Sequence, residues 1–188
     1  MFFFPGGGEI PKPKRESLLQ ELVQIARLSF KVMSPSIMSS GRIALGDVTP
    51  NNVGQLRKLN QVIFPVNYGD KFYQDVIEAG ELAKLVYFND VCVGAVCCRK
   101  ETHENETRLY MMTLGVLKPY RQLGLGGRLL QHILEHANEF SSIYLHVQIT
   151  NESALSFYKK NGFEVVGTEK DYYKHIDPRD AYVLRKTL

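Results

Sequence analysis

Tryptophan is absent and cysteine is scarce: Cys92, Cys97 and Cys98 are the only three in 188 residues. They share one apolar run and lack C-x-x-C spacing, which excludes a disulfide framework and a zinc ribbon. Core packing in a reducing compartment is the expectation for them, with the cytoplasm as the location and the nucleus as a second one. No apolar run reaches the roughly 18 residues of a membrane-crossing helix, so no membrane partner is expected. Lysine and arginine do not cluster, and the net charge is only +3. That excludes a dedicated nucleic-acid binder and leaves a weak preference for an anionic ligand. What is present, 44% hydrophobic and 23% charged residues, suits one globular domain with a sizeable core.

Residues 1–40 read differently from the rest. Met1 to Pro13, "MFFFPGGGEIPKP", is apolar and then rich in Gly and Pro. Glu16 to Met33 has broadly helical apolar spacing, and "SPSIMSSG" follows as a linker. A secretory signal would need a charged start and a longer apolar stretch, and a mitochondrial presequence more Arg and less Glu. The expectation is a weakly ordered extension or one frayed helix over 1–40, with Met38 as an alternative start.

From Arg42 the pattern is regular. A strand over Arg42–Leu45 precedes a helix bearing Val53, Leu56, Leu59 and Ile63, then an irregular "FPVNYGD" and a helix from Asp70 to about Glu78. Two β-rich runs flank Asn89-Asp90, a hairpin signal. Arg108–Val116 reads as a strand, Gly126–Phe140 as an amphipathic helix and Ser142–Val147 as a strand. A helix over Asn151–Asn161 ends at Gly162, and strands at Phe163–Val166 and Ala181–Leu184 bracket a Tyr-rich segment. Arg99-Lys100 with Glu101, Glu104 and Glu106 reads as a solvated loop. The mixture gives an α/β (α+β) domain over 41–188 with a mixed central sheet flanked by helices.

The stretch "RQLGLGG", Arg121-Gln122-Leu123-Gly124-Leu125-Gly126-Gly127, joins a strand to a helix. The dinucleotide fingerprint fails because Leu129 stands where its third glycine belongs, and the G-x-x-x-x-G-K motif is absent. Glycines at 124 and 126 let backbone N–H groups approach a phosphate closely, and the helix start adds its positive dipole end. On spacing alone, a diphosphate site and an ordinary left-handed turn are equally supported. His132 and His136 have metal-pair spacing on a helix, but no third ligand is placed beside them, so no metal is expected.

Arg121-x-x-Gly124-x-Gly126 resembles the pyrophosphate loop of the GNAT superfamily of N-acetyltransferases. Asn151, Ala154, Phe157, Tyr158, Lys160, Gly162 and Phe163 resemble its second signature, one helix and one strand further on. From Gly41 nearly to Leu188 the chain is similar to NatE-type N-alpha-acetyltransferases, through "RIALGDVTPNNVGQLRKLNQVIFPVNY", "LYMMTLGVLKPYRQLGLG", "IYLHVQITNESALSFY" and "DYYKHI". The resemblance implies acetyl-CoA as co-substrate, held by residues 121–127, by backbone at Leu114, Gly115 and Val116, and by Asn151, which is equally a helix N-cap. It implies that Phe64, Pro65, Val66, Tyr68, Met112, Tyr172 and Tyr173 grip a protein N-terminus that begins with Met and an apolar residue. It also implies partnership with the auxiliary and catalytic subunits of NatA near ribosomes. Gln122 departs from close relatives, which often carry a second Arg there.

In that family Tyr110 and His146 hold a water that takes the amine proton, and Tyr158 lies near the thiol. An imidazole is a suitable base. Near pH 7 roughly a tenth of an α-amine is neutral, against less than about a thousandth of a lysine, so a modest base suffices. Taken alone, Tyr110 reads more readily as an ordinary strand tyrosine, and His146 is balanced between the two roles. The rival readings are a lysine or small-amine acetyltransferase and a non-catalytic CoA-binding subunit.

Overall fold

A computed structural model describes residues 42–103, 106–174 and 176–188, with the side chain of residue 103 excepted. The extension over 1–40, the helix within it, the Met38 start, Glu104 and His175 lie outside the described residues. The elements run β1 (Ile43–Asp47), α1 (Val53–Ile63), α2 (Asp70–Glu78), β2 (Ala83–Phe88), β3 (Val91–His103), β4 (Glu106–Val116), α3 (Leu125–Glu135), β5 (Ser142–Gln148), α4 (Glu152–Lys160), β6 (Glu164–Glu169) and β7 (Ala181–Thr187). Short 3-10 turns lie at Gly80–Leu82 and Lys118–Tyr120. The seven strands form one sheet in the order β1-β2-β3-β4-β5-β7-β6. Every pairing is antiparallel except β4 with β5.

The hairpin signal holds. Asn89 and Asp90 both have positive φ, 48° and 65°, as a two-residue turn matched to strand twist requires. Gly162 also holds: at φ 81° it lets its own N–H reach Lys159 O and the Phe163 N–H reach Tyr158 O. This is a Schellman ending, and it fixes the last turn of α4, which carries Tyr158.

Two expectations need correction. Arg99 to Glu101 belong to β3 and do not form a loop. Arg99 pairs across to Tyr110, and Glu101 to Arg108, while the charges meet along each strand, Arg99 with Glu101 and Arg108 with Glu106, and Arg99 and Lys100 stay exposed. Helix α3 ends at Glu135 and does not reach Phe140. The His136 ring Nδ1 lies 2.8 Å from His132 O, competing for a carbonyl of the last turn, and Ala137 is buried beyond the helix.

The core forms two layers. On one face of the sheet, Leu125, Leu129, Leu130 and Ile133 of α3 pack with Leu109, Met111, Ile143, Leu145 and Tyr158. On the other, Leu56 and Leu59 of α1 and Tyr73 and Val76 of α2 cover Ala83, Leu85, Ala95 and Cys97. Full burial of each such aliphatic side chain contributes about 1.5–3 kcal/mol. Cys97 and Cys98 are buried in opposite layers. Burial pushes the Cys97 thiol up to about 12, so it is an inert packing residue.

Two irregularities of β4 shape the site. Cys97 pairs with Thr113 and Cys98 with Met111, so Met112 is an extra, bulged residue. After it the alternation of faces inverts: Met111, Leu114 and Val116 all join the α3 layer, while Met112 packs in the other. Secondly, β4 and β5 are in register only at Leu109↔Ile143 and Tyr110↔Tyr144. Beyond that point they part.

Candidate active site

The parted strands leave a cleft of about 610 Å³. One wall is β4 from Met111 to Val116 and the other β5 from Leu145 to Gln148. Residues 114–116 of β4 pair only with β3, through Val96, Ala95 and Gly94, so their β5-side backbone groups face the opening. An edge of this kind presents N–H donors to an extended ligand or a carbonyl. Arg121, Gln122, Gly124, Leu125, Gly126, Gly127, Asn151 and Tyr158 also line the cleft.

At the loop, Gln122 and Gly124 both adopt left-handed backbone, φ 65° and 78°. Gly124 is the N-cap of α3, so the helix's first free N–H groups open beside the cleft, ready for an anion. Gly126 does not need its special freedom for φ. A Cβ there would sit 3.7 Å from Phe157 and 3.8 Å from Leu114, an ordinary contact, so its smallness matters only toward a ligand. Arg121 does more than supply charge: its Nε donates to Val116 O at 3.0 Å and ties the loop to the end of β4. Leu123 turns away from the cleft and packs on the α3 layer. Asn151 caps α4, its side chain accepting from Ala154 N at 3.1 Å, and still reaches the cleft wall.

A polar network meets the cleft at His146, half-way along β5. The His146 Nε2 lies 2.7 Å from Glu169 Oε2 and its Nδ1 lies 3.2 Å from the Tyr110 hydroxyl. A carboxylate only accepts, so Nε2 carries the proton and Nδ1 is the acceptor in the neutral ring. The Tyr110 hydroxyl is 2.8 Å from that of Tyr172, and the Tyr172 ring stacks on His146 at 4.2 Å and 9°. Burial, with Tyr172 close by, raises the Tyr110 phenol well above its usual range. It therefore stays protonated and acts as a donor, not as a base. Behind it Tyr144 stacks on Tyr110 at 4.8 Å and hydrogen-bonds Glu101, which also pairs with Arg99.

The mouth on the α1 side is apolar. Phe64, Pro65 and Tyr68 from the loop after α1 line it with Met112, Tyr173 and Ile176. Tyr68 stands edge-on to Phe64 at 6.3 Å and stacks on Phe72 at 4.4 Å. Tyr173 holds its place because its N–H bonds Arg179 O across the β6–β7 loop. Gly115 faces the same corner: an added Cβ would lie 2.7 Å from Ile63 and 2.9 Å from Phe64. Tyr158 lies on the far side, buried, its hydroxyl 3.7 Å from Met111 Sδ. Burial raises this phenol too, so it stays protonated and can donate a hydrogen bond to a thiolate.

Most residues expected at the site thus converge on one cleft. Four do not form its wall. Val66 is half-buried in the loop, Leu123 is half-buried against the core, and Tyr110 and Tyr172 lie behind His146. Tyr172 departs from its expected substrate contact because its ring packs on the imidazole, while the roughly perpendicular Tyr173 takes the wall. Sequence reasoning missed Glu169. No local pattern marks Glu169, which reaches His146 only through the β6–β7–β5 pairing.

Residues 53–163 match the acetyltransferase (GNAT) family. N-alpha-acetyltransferase 50 of Danio rerio is 63% identical over 151 residues, 79% of this chain and 90% of the relative. The probable N-acetyltransferase san of Drosophila melanogaster is 60% identical over 154 residues, 80% of this chain and 84% of the relative. The solved structure of Arabidopsis thaliana Naa50 with the bisubstrate analogue CoA-Ac-MVNAL is 51% identical and superposes with a TM-score of 0.74, covering 78% of this chain and 99% of that one. A parted β4–β5 pair, an anion-ready helix start and these relatives lead to one assignment: the chain belongs to the acetyltransferase (GNAT) family, as an N-alpha-acetyltransferase using acetyl-CoA.

Proposed function

We propose that the enzyme acetylates the α-amine of protein chains that begin with Met followed by an apolar residue. The observation that carries this reading is the meeting of an apolar mouth with His146 on one cleft. Among the described residues its wall, from Phe64 to Ile176, contains no carboxylate. A lysine or polyamine substrate brings a positive charge that remains at neutral pH and favours an acidic surround. A Met side chain instead fits Phe64, Tyr68, Met112 and Tyr173. The analogue bound by the Arabidopsis relative likewise starts with Met and Val. Steady-state assays over peptides varied at their first two residues test this. Met-Leu and Met-Val starts should exceed Ser- and Asp-starting peptides at least tenfold in kcat/KM, and a flat profile would overturn the specificity.

The residues divide the chemistry. The diphosphate of acetyl-CoA lies on the α3 start at 124–127, and Arg121 and Gln122 flank it. Backbone N–H groups at 114–116 align the pantetheine and polarise the thioester carbonyl. The amine attacks that carbonyl. A water bridging the amine to the Tyr110–His146 pair takes its proton, with Nδ1 as the final acceptor and Tyr110 orienting the water. Loss of the thiolate completes the transfer, and Tyr158 donates to the sulfur. Tyr173 and the loop from Phe64 to Tyr68, Val66 included, enclose the substrate's first residues, while Tyr172 keeps the imidazole ring in place.

Glu169 is a positioning residue in this scheme, since it holds the proton on Nε2 and keeps Nδ1 as the acceptor. It is 54% exposed in its side chain, so a contribution of about 1 kcal/mol, roughly fivefold in rate, is expected. Glu169→Gln should lower kcat by that factor without changing acetyl-CoA affinity, and imidazole 15N shifts should show mixed tautomers. Unchanged shifts would remove Glu169 from the scheme.

Deletion of Met1 to Ile37 should leave acetylation within about twofold, because every motif lies beyond Gly41. A truncated protein with wild-type cofactor affinity but more than tenfold lower activity would contradict this. The resemblance also supports work in the cytoplasm alongside NatA subunits and ribosomes. Co-purification from lysate with the full chain as bait tests that association.

A further inference from the structure

The sequence offered His132 and His136 as a helical pair without a third ligand, and the fold supplies one from 51 positions away. Glu81, in the 3-10 turn before β2, brings its carboxylate to the Nε2 edges of the two rings, which stack at 4.2 Å and 29° at the C-terminal end of α3. Its Oε2 lies 3.2 Å from His132 Nε2 and 3.5 Å from His136 Nε2. All three ligand atoms lie within 4.8 Å of one another. Ligands about 2.0–2.2 Å from one tetrahedral zinc stand about 3.3–3.5 Å apart, so the two histidine–carboxylate separations are already edges of such a polyhedron.

We propose that Glu81, His132 and His136 form a divalent-cation site of the zinc class, distinct from the acetyl-transfer cleft. The hydrogen bonds at His136 favour it. Its Nδ1 is 2.8 Å from His132 O, and a carbonyl only accepts, so Nδ1 carries the proton. This is the usual outer contact of a metal-bound histidine. In the neutral ring, Nε2 then turns its lone pair toward the Glu81 carboxylate, acceptor facing acceptor, an arrangement that a cation between them resolves. His132 meets the same need by a change of tautomer. Its Nε2 is 3.0 Å from Glu81 O, and moving that proton to Nδ1 frees the lone pair.

The nearest competitor is Lys84, whose Nζ is 2.9 Å from Glu81 Oε2. Lys84 also pairs with Asp47, so a metal can take Glu81 without leaving that ammonium unpaired. The three ligands leave a fourth position for water. A bound ion would join the end of α3 to the turn before β2, two segments far apart in sequence, and so resist unfolding.

The test uses the full chain without an affinity tag, titrated with zinc by calorimetry and by thermal unfolding. One zinc per chain should bind, and at about a hundredfold excess over Kd the midpoint should rise by about 5–10 °C. Cobalt in its place should give the intense visible bands of a tetrahedral site, without a thiolate charge-transfer band. His136→Ala and Glu81→Gln, both at exposed positions, should each weaken zinc at least tenfold. His146→Gln, which removes the histidine of the cleft, should leave zinc affinity unchanged. Absence of saturable binding up to about 1 mM zinc, wild-type affinity in both site variants, or loss of binding in His146→Gln would each overturn the proposal.

Discussion

His146→Ala should lower kcat on a Met-Leu-starting peptide at pH 7 by about 10²-fold, the lower end of what a general base contributes. The Nδ1 that faces Tyr110 at 3.2 Å disappears with the ring, and acetyl-CoA affinity should stay within a factor of about two, since the anion-binding loop is elsewhere. The pH dependence gives the sign of the effect. An α-amine with a pKa of about 7.7–8.0 is roughly a tenth neutral at pH 7 and over nine-tenths neutral at pH 9. Raising the pH should therefore return up to about tenfold of the lost activity and then plateau. A lysine acceptor with a pKa of about 10.4 would still be rising steeply, by about a hundredfold over the same interval. Pre-steady-state acetylation across pH 6.5–9.5 distinguishes the two. Full activity of His146→Ala at pH 7 would make His146 only a strand residue. Tyr110→Phe should lose a similar factor, because the ring that stacks on Tyr144 survives and only the hydroxyl goes.

Gly124→Val should weaken acetyl-CoA binding at least tenfold. The position has φ 78°, where a side chain costs roughly 1–2 kcal/mol and a β-branched one more. A Cβ there would meet nothing within 4 Å, so the protein has no steric objection. The mutant loop escapes the strain by turning its N–H groups out of line with the α3 start, and each 1.4 kcal/mol lost is about a factor of ten in affinity. Gly126→Ala separates the two ways of failing. Its Cβ makes only ordinary contact with Phe157, so a loss of affinity at unchanged Tm would come from the ligand's own close approach. Calorimetric titration of acetyl-CoA into both variants provides the check, and near-normal affinity in Gly124→Val would remove the loop from the site.

How much could be read in advance follows from the range of the interactions. The Asn89-Asp90 turn, the Gly162 ending and the glycine loop depend on residues a few positions apart, and each is visible as a local pattern. The parting of β4 from β5 is not, because it depends on where parallel pairing stops, at Tyr110↔Tyr144. The bulge at Met112 is likewise a matter of register with Cys97 and Cys98. Composition read Arg99 to Glu101 as a loop, while pairing with Arg108 and Tyr110 makes them strand residues, with Arg99 still exposed. Glu169 and Glu81 share one lesson. Each completes a histidine site from a distant segment, and a lone glutamate carries no spacing to announce that. The recognition of Tyr110 and His146 came through resemblance, since a tyrosine and a histidine in separate strands have no local signature of a pair.

One measurement bears most directly on the transfer itself. The purified chain is given labelled acetyl-CoA and two peptides of the sequence Met-Leu-Gly-Lys-Pro-Glu, one with a free amino terminus and one already blocked there. Fragmentation mass spectrometry then locates the acetyl group. The arrangement of the apolar mouth, Tyr110 and His146 predicts acetyl on the α-amine of the free peptide and, in the blocked one, lysine acetylation at least a hundredfold slower. Equal labelling of the blocked peptide at its lysine would contradict it.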